Sequence, residues 1–217
     1  MKIYWLGHSA IKIEGSKVVF IDPFLSGNPL ASLSLEKIDK ADVVVLTHDH
    51  EDHLGDGFAI CKKTGATLVS YHEIAVKASK EGIKAEGMNI GGTVEVNGVK
   101  VSLVQAIHSS YSGHPMGAIV RMDGKTIYHT GDTGVFLDMK LISEIFNPDV
   151  VFLPIDGRYN MDVFQASKAV ELMGKRKYVP IHYDTFPIIQ ADPLKFKQLS
   201  EKIGEVIVIK PGEFVEI

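Results

Sequence analysis

The segment His48-Asp49-His50-Glu51-Asp52-His53 sets three imidazoles and the Asp52 carboxylate within six residues, directly after the apolar run Val43-Val44-Val45-Leu46-Thr47. Neutral imidazole and carboxylate are the ligands that borderline divalent cations favour. The β-branched run predicts a buried strand, so the cluster falls where a strand's carboxyl end opens into a loop and a helix. Ligand sites of α/β sheets gather at that edge. His48 and His50, two apart, can point the same way from an extended strand end and grip one ion, while Asp52 and His53 on the following turn can reach a second. A loop needing only solubility would use Lys, Glu or Ser, so a merely solvated segment is the poorer reading.

Three more predicted strands end on ligand types: Val101–Ile107 delivers His108, Lys125–Gly131 delivers Asp132, and Lys177–Ile181 delivers His182. A single histidine after a strand is more often a satisfied structural group than a ligand; the recurrence at equivalent positions is what points to one metal centre. His8 follows Tyr4-Trp5-Leu6-Gly7 at another strand end, where Gly7 permits a sharp bend. Asp22 ends a strand facing the same rim and is expected to order a turn or a ligand histidine. His114, six residues beyond His108 in a polar loop, is expected to line the pocket. Arg158, in the loop after the apolar run Val150–Ile155, is expected to offer its fork of donors to a phosphate or carboxylate of the substrate. His72 and His129 are assigned to structure.

On these residues the chain resembles the metallo-β-lactamase-fold hydrolases. Thr47-His48-Asp49-His50-Glu51-Asp52-His53, His108, Gly131-Asp132-Thr133 and His182 follow that family's order of landmarks, and Ile21-Asp22-Pro23 extends the likeness to nearly the full length. Gly7-His8-Ser9, the stretch from Ile21 to Pro29, Gly131-Asp132-Thr133-Gly134 and the stretch from Pro180 to Pro187 look like a small "metal-dependent hydrolase" branch, itself similar to the bacterial ascorbate-phosphate lactonases. Asp156 and Asn160-Met161-Asp162 depart from the Gly-rich pattern of relatives.

The resemblance implies an α/β fold of four layers, an αββα sandwich of two mixed sheets with helices outside. It implies that His48, His50 and His108 hold one ion, that Asp52, His53 and His182 hold a second, and that Asp132 bridges them. It also implies a shared water whose pKa falls from about 15.7 towards 7, oriented by Asp52, with His8 near enough to donate to a substrate oxygen. At position 50 the family's di-iron oxygen reductases carry Glu, so His50 implies hydrolytic chemistry and zinc; Mn, Fe, Ni or Co also suit such a ligand set.

Composition bounds the rest. With 217 residues and 45% hydrophobic content the chain fits one domain, 1–217, with a substantial core. No low-complexity tract marks a linker, no leader pattern opens the chain, and no apolar run approaches the ~18 residues of a membrane span. The lone Cys61 suits a reducing compartment, so a cytoplasmic enzyme is expected. A net charge of −4 without a basic stretch disfavours nucleic acid and leaves a small-molecule substrate; oligomeric state is not readable, although symmetric homo-oligomers are common.

Strands are predicted over 2–6, 10–14, 17–22, 42–47, 67–70, 93–96, 99–107, 116–122, 125–130, 149–155, 177–181, 206–209 and 213–216. Helices are predicted over 54–63, 72–81, 138–146, 163–173 and 193–203. The expected function is hydrolysis of a small ester, lactone or phosphoester, the alternative being a phosphodiesterase acting on a nucleotide or lipid headgroup. A di-iron redox protein would want Glu at position 50, and a metal-binding module without turnover would be missing ligands.

Overall fold

Period-two alternation decides which way the side chains of a strand face. In β3 (Val18–Ile21), Val19 and Ile21 enter one apolar cluster and Phe20 another, and β4 (Val43–Val45) divides in the same way, Val43 and Val45 against Val44. The computed structural model describes residues 1–217 and has two cores accordingly. One, of 39 buried residues, lies between two sheets and continues beneath the helices of the second; the other, of 15, lies between the first sheet and its own helices.

The first sheet joins β14 (Phe214–Glu216), β1 (Lys2–Gly7), β2 (Ala10–Glu14), β3, β4, β5 (Thr67–Tyr71) and β6 (Ala85–Met88) in that order. Its strands from β14 to β3 pair antiparallel and those from β3 to β6 parallel. The second joins β13 (Glu205–Val206), β12 (Lys177–Ile181), β11 (Val150–Pro154), β10 (Lys125–His129), β9 (Met116–Met122), β8 (Val99–Gln105) and β7 (Thr93–Val96). It repeats the plan: antiparallel from β7 to β10, parallel from β10 to β13.

Helices α1 (Glu51–Leu54), α2 (Gly57–Thr64) and α3 (His72–Lys80) belong to the first half, α4 (Met139–Phe146), α5 (Val163–Met173) and α6 (Pro193–Ser200) to the second. This is the αββα sandwich of two mixed sheets. Hairpins β7–β8 and β9–β10 turn on Asn97-Gly98 and Asp123-Gly124, with φ of 53° and 82° and of 53° and 72°, the left-handed pair that a two-residue turn demands. No helix is long and apolar enough to cross a membrane.

Three element boundaries differ from expectation by more than two residues. The helix over 54–63 is two pieces, because Gly55 turns at φ 42° where its backbone presses on the Pro23-Phe24 segment; a Cβ there would lie 2.6 Å from Phe24 Cα. The break lets the Asp56 amide donate to Pro23 O at 2.9 Å, which locks the metal-motif turn to the strand beside it. The helix over 193–203 stops at Ser200, and of the strand over 206–209 only Val206 remains, paired in the two-residue strand Glu205–Val206. β6 is an addition: Ala85-Glu86-Gly87-Met88 has no β-branched residue to announce a strand.

Candidate metal centre

The parallel halves of both sheets point their carboxyl ends at one edge, and the chemistry-bearing residues stand there. Asp22 follows β3, His48 follows β4, Asp132 follows β10, Asp156 follows β11 and His182 follows β12. His8 follows β1 and His108 follows β8. His8, Asp22 and His182 hold left-handed backbone, with φ of 56°, 45° and 59°, a conformation that costs about 1–3 kcal/mol each in a non-glycine residue and persists where the surroundings over-determine it. The His182 amide donates to His8 O at 3.0 Å, so the two sheets are stitched together at the site itself.

Partners on the far side of each ring decide which nitrogen faces inward. Asp22, fully buried, accepts from Thr47 N (2.8 Å), from Thr47 Oγ1 (2.6 Å) and from His53 Nδ1 (2.8 Å). Thr47 has one hydroxyl proton and gives it to Asp22, so its oxygen accepts from His48 Nδ1 at 3.1 Å. His182 Nδ1 faces Asp156 Oδ2 at 3.1 Å. The Nε2 atoms of these three imidazoles are thereby the ones that face the site, the arrangement in which outer carboxylates orient metal-binding histidines.

Three of the inward atoms converge without a hydrogen bond, although His48 Nε2 and His50 Nδ1 do bond to one another. His53 Nε2, His182 Nε2 and Asp132 Oδ1 are buried and make no hydrogen bond, although His53 Nε2 lies 3.3 Å from Asp132 Oδ1 and His182 Nε2 lies 3.1 Å from Asp132 Oδ2. His108 Nε2 is 3.6 Å from Asp132 Oδ2, and His48 Nε2 is 3.0 Å from His50 Nδ1. Ligands about 2.0–2.1 Å from a common cation stand roughly 3–3.5 Å apart. Unpaired buried polar atoms are costly, so this donor set fits metal binding better than it fits a closed hydrogen-bond network.

Two groups of potential ligands lie within 4.8 Å among themselves: His48, His50 and His108, and His8, Asp52, His53 and His182. Asp132 touches members of both. A third group, Asp22 with His48 and His53, is better read as orientation, since Asp22's oxygens are occupied by Thr47 and His53.

The charges agree with this geometry. Burial opposes a proton on His53, yet the carboxylates of Asp132 and Asp22 outweigh it and raise its pKa well above the usual value. His182 is raised to about 10 against the same burial by Asp132 and Asp156. Asp132 is held well below the carboxylate range, burial being overcome by His182 and His53. A field that draws positive charge to this spot is one that suits a cation. His48, by contrast, is lowered to about 3 by burial and by His53, and stays a neutral donor.

His8 is fully buried, lies 3.9 Å from the His182 ring at a tilt of 43°, and is lowered to about 4 by burial and by His182. Its Nδ1 meets Thr185 Oγ1 at 2.8 Å and its Nε2 meets Asp52 Oδ2 at 3.0 Å. Geometry thus also admits it among the ligand candidates, a role not expected of it. In front lies a cavity of about 550 Å³ lined by His8, His50, Asp52, His108, Asp132 and His182 among others.

His114 and Arg158 do not line this cavity. His114 is exposed and sits edge-on to Tyr71, 5.8 Å away, and the exposed Arg158 lays its guanidinium over the Tyr159 ring at 5.6 Å. Their loops do reach the site, but through Tyr111 and Tyr159. Sequence reasoning weighed polar side chains on those loops and passed over the aromatic ones, which alternate with them. It also missed the roles of Asp49 and Asp156, because a carboxylate that tethers a loop looks the same in sequence as a solvated one. His129 is structural, its Nε2 meeting Ser9 O at 2.9 Å, and His72 opens α3.

Fold and site together define a class. Residues 17–183 match the model of the β-lactamase superfamily domain, and the chain belongs to that superfamily. Within it, the chain belongs with the UPF0173 metal-dependent hydrolases: it is 47% identical to the one from Korarchaeum cryptofilum, over the whole of both chains, and 48% identical to the one from Methanopyrus kandleri, again over the whole of both. Among solved structures, Igni18, a metallo hydrolase from the hyperthermophilic archaeon Ignicoccus hospitalis, superposes with a TM-score of 0.91 at 44% identity, covering 99% of this chain and 97% of that one.

Proposed function

We propose that this protein hydrolyses a small ester or lactone with two divalent cations, zinc in the first instance, and that it does so in the cytoplasm without nucleic-acid or membrane partners. The observation that supports the reading most is the meeting of His53 Nε2, His182 Nε2 and Asp132 Oδ1, buried and free of hydrogen bonds, beside a cavity that His182 and Asp132 line. His48, His50 and His108 are the residues to hold one ion, and Asp52, His53 and His182 the other. Asp132 reaches toward both groups, Oδ1 to His53 and Oδ2 to His108 and His182, which supports a bridging role. When bound, such ions lower the pKa of a coordinated water from about 15.7 towards 7 and polarise the oxygen on which charge develops.

The chain's own groups supply orientation and proton handling. His8, neutral by burial, holds Asp52 through Nε2 while Thr185 fixes its other nitrogen. Asp52, its carboxyl pulled below the usual range against burial by His8 and His53, is then the base that holds the nucleophile's proton and turns its lone pair to the substrate. A phosphodiester or a phosphoester substrate is the weaker reading, because no Lys or Arg lines the cavity.

Elemental analysis of the purified protein, run beside a panel of chromogenic esters, lactones and bis-aryl phosphates, tests the proposal. Two equivalents of zinc with ester or lactone turnover is the expected result. Iron with oxygen uptake, or bound metal with no turnover of any member, would overturn it.

A further inference from the structure

Beyond the ligands, and apart from Glu51 and Ser109, the cavity wall is apolar and comes from four separate loops. Phe24 follows β3, Tyr111 lies between β8 and β9, Tyr159 between β11 and α5, and Phe186, Ile188 and Ile189 between β12 and α6. Four of these stand open to solvent: Tyr111 at 74%, Ile188 at 56%, Tyr159 at 53% and Phe186 at 37%. Large apolar side chains gathered in the open mark a contact surface. They are continuous with the metal centre, since Tyr111 meets the His50 ring edge-on at 5.0 Å, and Phe24 and Phe186 meet His8 at 5.7 and 6.0 Å.

The wall is also pre-set. Each of its loops hangs on a carboxylate that accepts main-chain amides. Asp56 takes those of Leu25 and Ser26, Asp49 those of Tyr111 and Ser112, Asp156 those of Arg158 and Tyr159, and Asp184 that of Ala191. Four independent tethers hold aromatic and aliphatic groups around one opening, and pre-organised apolar walls with few polar groups are how small-ligand sites bind. The only charged lining residue outside the ligand set is Glu51, an anion. A distant carboxylate or phosphate on the substrate would lose hydration there and find no cation in return.

We infer that this outer wall is a subsite for an uncharged aromatic or aliphatic group, so that the substrates are neutral apolar esters or lactones rather than phosphorylated or carboxylated ones. The inference rests on the hydrolytic reading of the same site and names its substrate class. Arg158 lays its guanidinium over the Tyr159 ring and is not among the residues that line the cavity.

Titration calorimetry on the metal-loaded protein with acetohydroxamate, benzohydroxamate and 4-carboxybenzohydroxamate reads the wall through ligands anchored at the metal. Benzohydroxamate is expected to bind at least about tenfold tighter than acetohydroxamate, as burial of a ring against apolar side chains requires, and the added carboxylate is expected to remove most of that gain. The double substitution Tyr159→Ala and Ile188→Ala should shrink the benzo-to-aceto ratio to about threefold or less. A second arm needs no metal: on chelator-treated protein, benzyl alcohol should show NMR contacts to the Tyr111 and Tyr159 rings, and benzoate should not. Equal affinities in the series with no benzyl alcohol contact would overturn the subsite and leave the metal reading standing. Benzyl alcohol contacts without any hydroxamate binding would do the reverse. Tighter binding of the carboxylated probe would overturn the inference and return Arg158 to the role of anion partner.

Discussion

Asp22 lines no part of the cavity, yet it sets the direction of two ligands, taking the His53 Nδ1 proton directly and that of His48 through Thr47. Replacing it by Asn puts an amide NH₂ where one of three donors now points, so either Thr47 or His53 must turn away. Asp22→Asn is expected to weaken metal binding about 10- to 100-fold, the usual effect of removing an outer partner, as read by competition against a chromogenic chelator. Unchanged affinity would reduce Asp22 to a packing role. The ligand candidates themselves were legible in the sequence because His and Asp at strand ends declare their chemistry by type. Asp22 was legible for the same reason, as the polar end of an apolar strand. Asp156 was not: its value lies in facing His182 across a sheet neighbour, β11 beside β12, and pairing order cannot be read from one chain.

Between residue and molecule stand the loops. Asp49 sits between two ligand candidates but turns away from them, accepting from Ser110 Oγ, Tyr111 N, Ser112 N, Ser112 Oγ and Lys77 Nζ at 2.6–3.0 Å. It thus fixes the β8–β9 loop, and Tyr111 with it, to the metal motif. Asp49→Asn should raise amide exchange at Tyr111 and Ser112 by about 10- to 100-fold, the loss of one or two charge-assisted bonds, while the β8 and β9 ladder amides keep their rates. Uniform protection in the variant would show that the loop holds itself. Most strands were foreseeable from alternation and from the Asn97-Gly98 and Asp123-Gly124 turns, and α6 from Asp192-Pro193; the side chains of Asp162 and Asp192 each accept from two amides at the starts of α5 and α6. β6 was not, because its pairing to β5 and Gly87's fit against α3 replace any local strand preference.

In α2, burial raises the Cys61 thiol to about 12. The unfolded thiol ionises near 8.5, so between that pH and about 12 the folded chain holds a proton that the unfolded one has released. Stability must then fall as pH rises through this window. Cys61→Ala should therefore melt with a flatter alkaline limb than the parent, both proteins being free of metal, and a slope identical to the parent's would mean the thiol is open in solution. Native protein should likewise resist thiol reagents at pH 8 and react with one equivalent once unfolded.

At the scale of the whole molecule, the proposed ions lie across the seam between the sheets. His48, His50, Asp52 and His53 leave the first sheet, whereas His108, Asp132 and His182 leave the second. Each ion would draw ligands from both sheets, so metal binding and sheet docking are one equilibrium at this edge, and the His182 to His8 backbone bond at 3.0 Å crosses there too. A ligand held at a thousandfold its Kd adds about 4 kcal/mol to stability, which for a chain of this size is roughly 10 °C in Tm per ion. Chelation should therefore lower Tm by roughly 10–20 °C. Hydrogen exchange should quicken first at the strand ends around His8, His48 and His182, with the opposite edge, at the Asn97-Gly98 and Asp123-Gly124 turns, unaffected. A chelated protein that melts at the same temperature would show that the 39-residue core alone docks the sheets and that the ions serve only the chemistry.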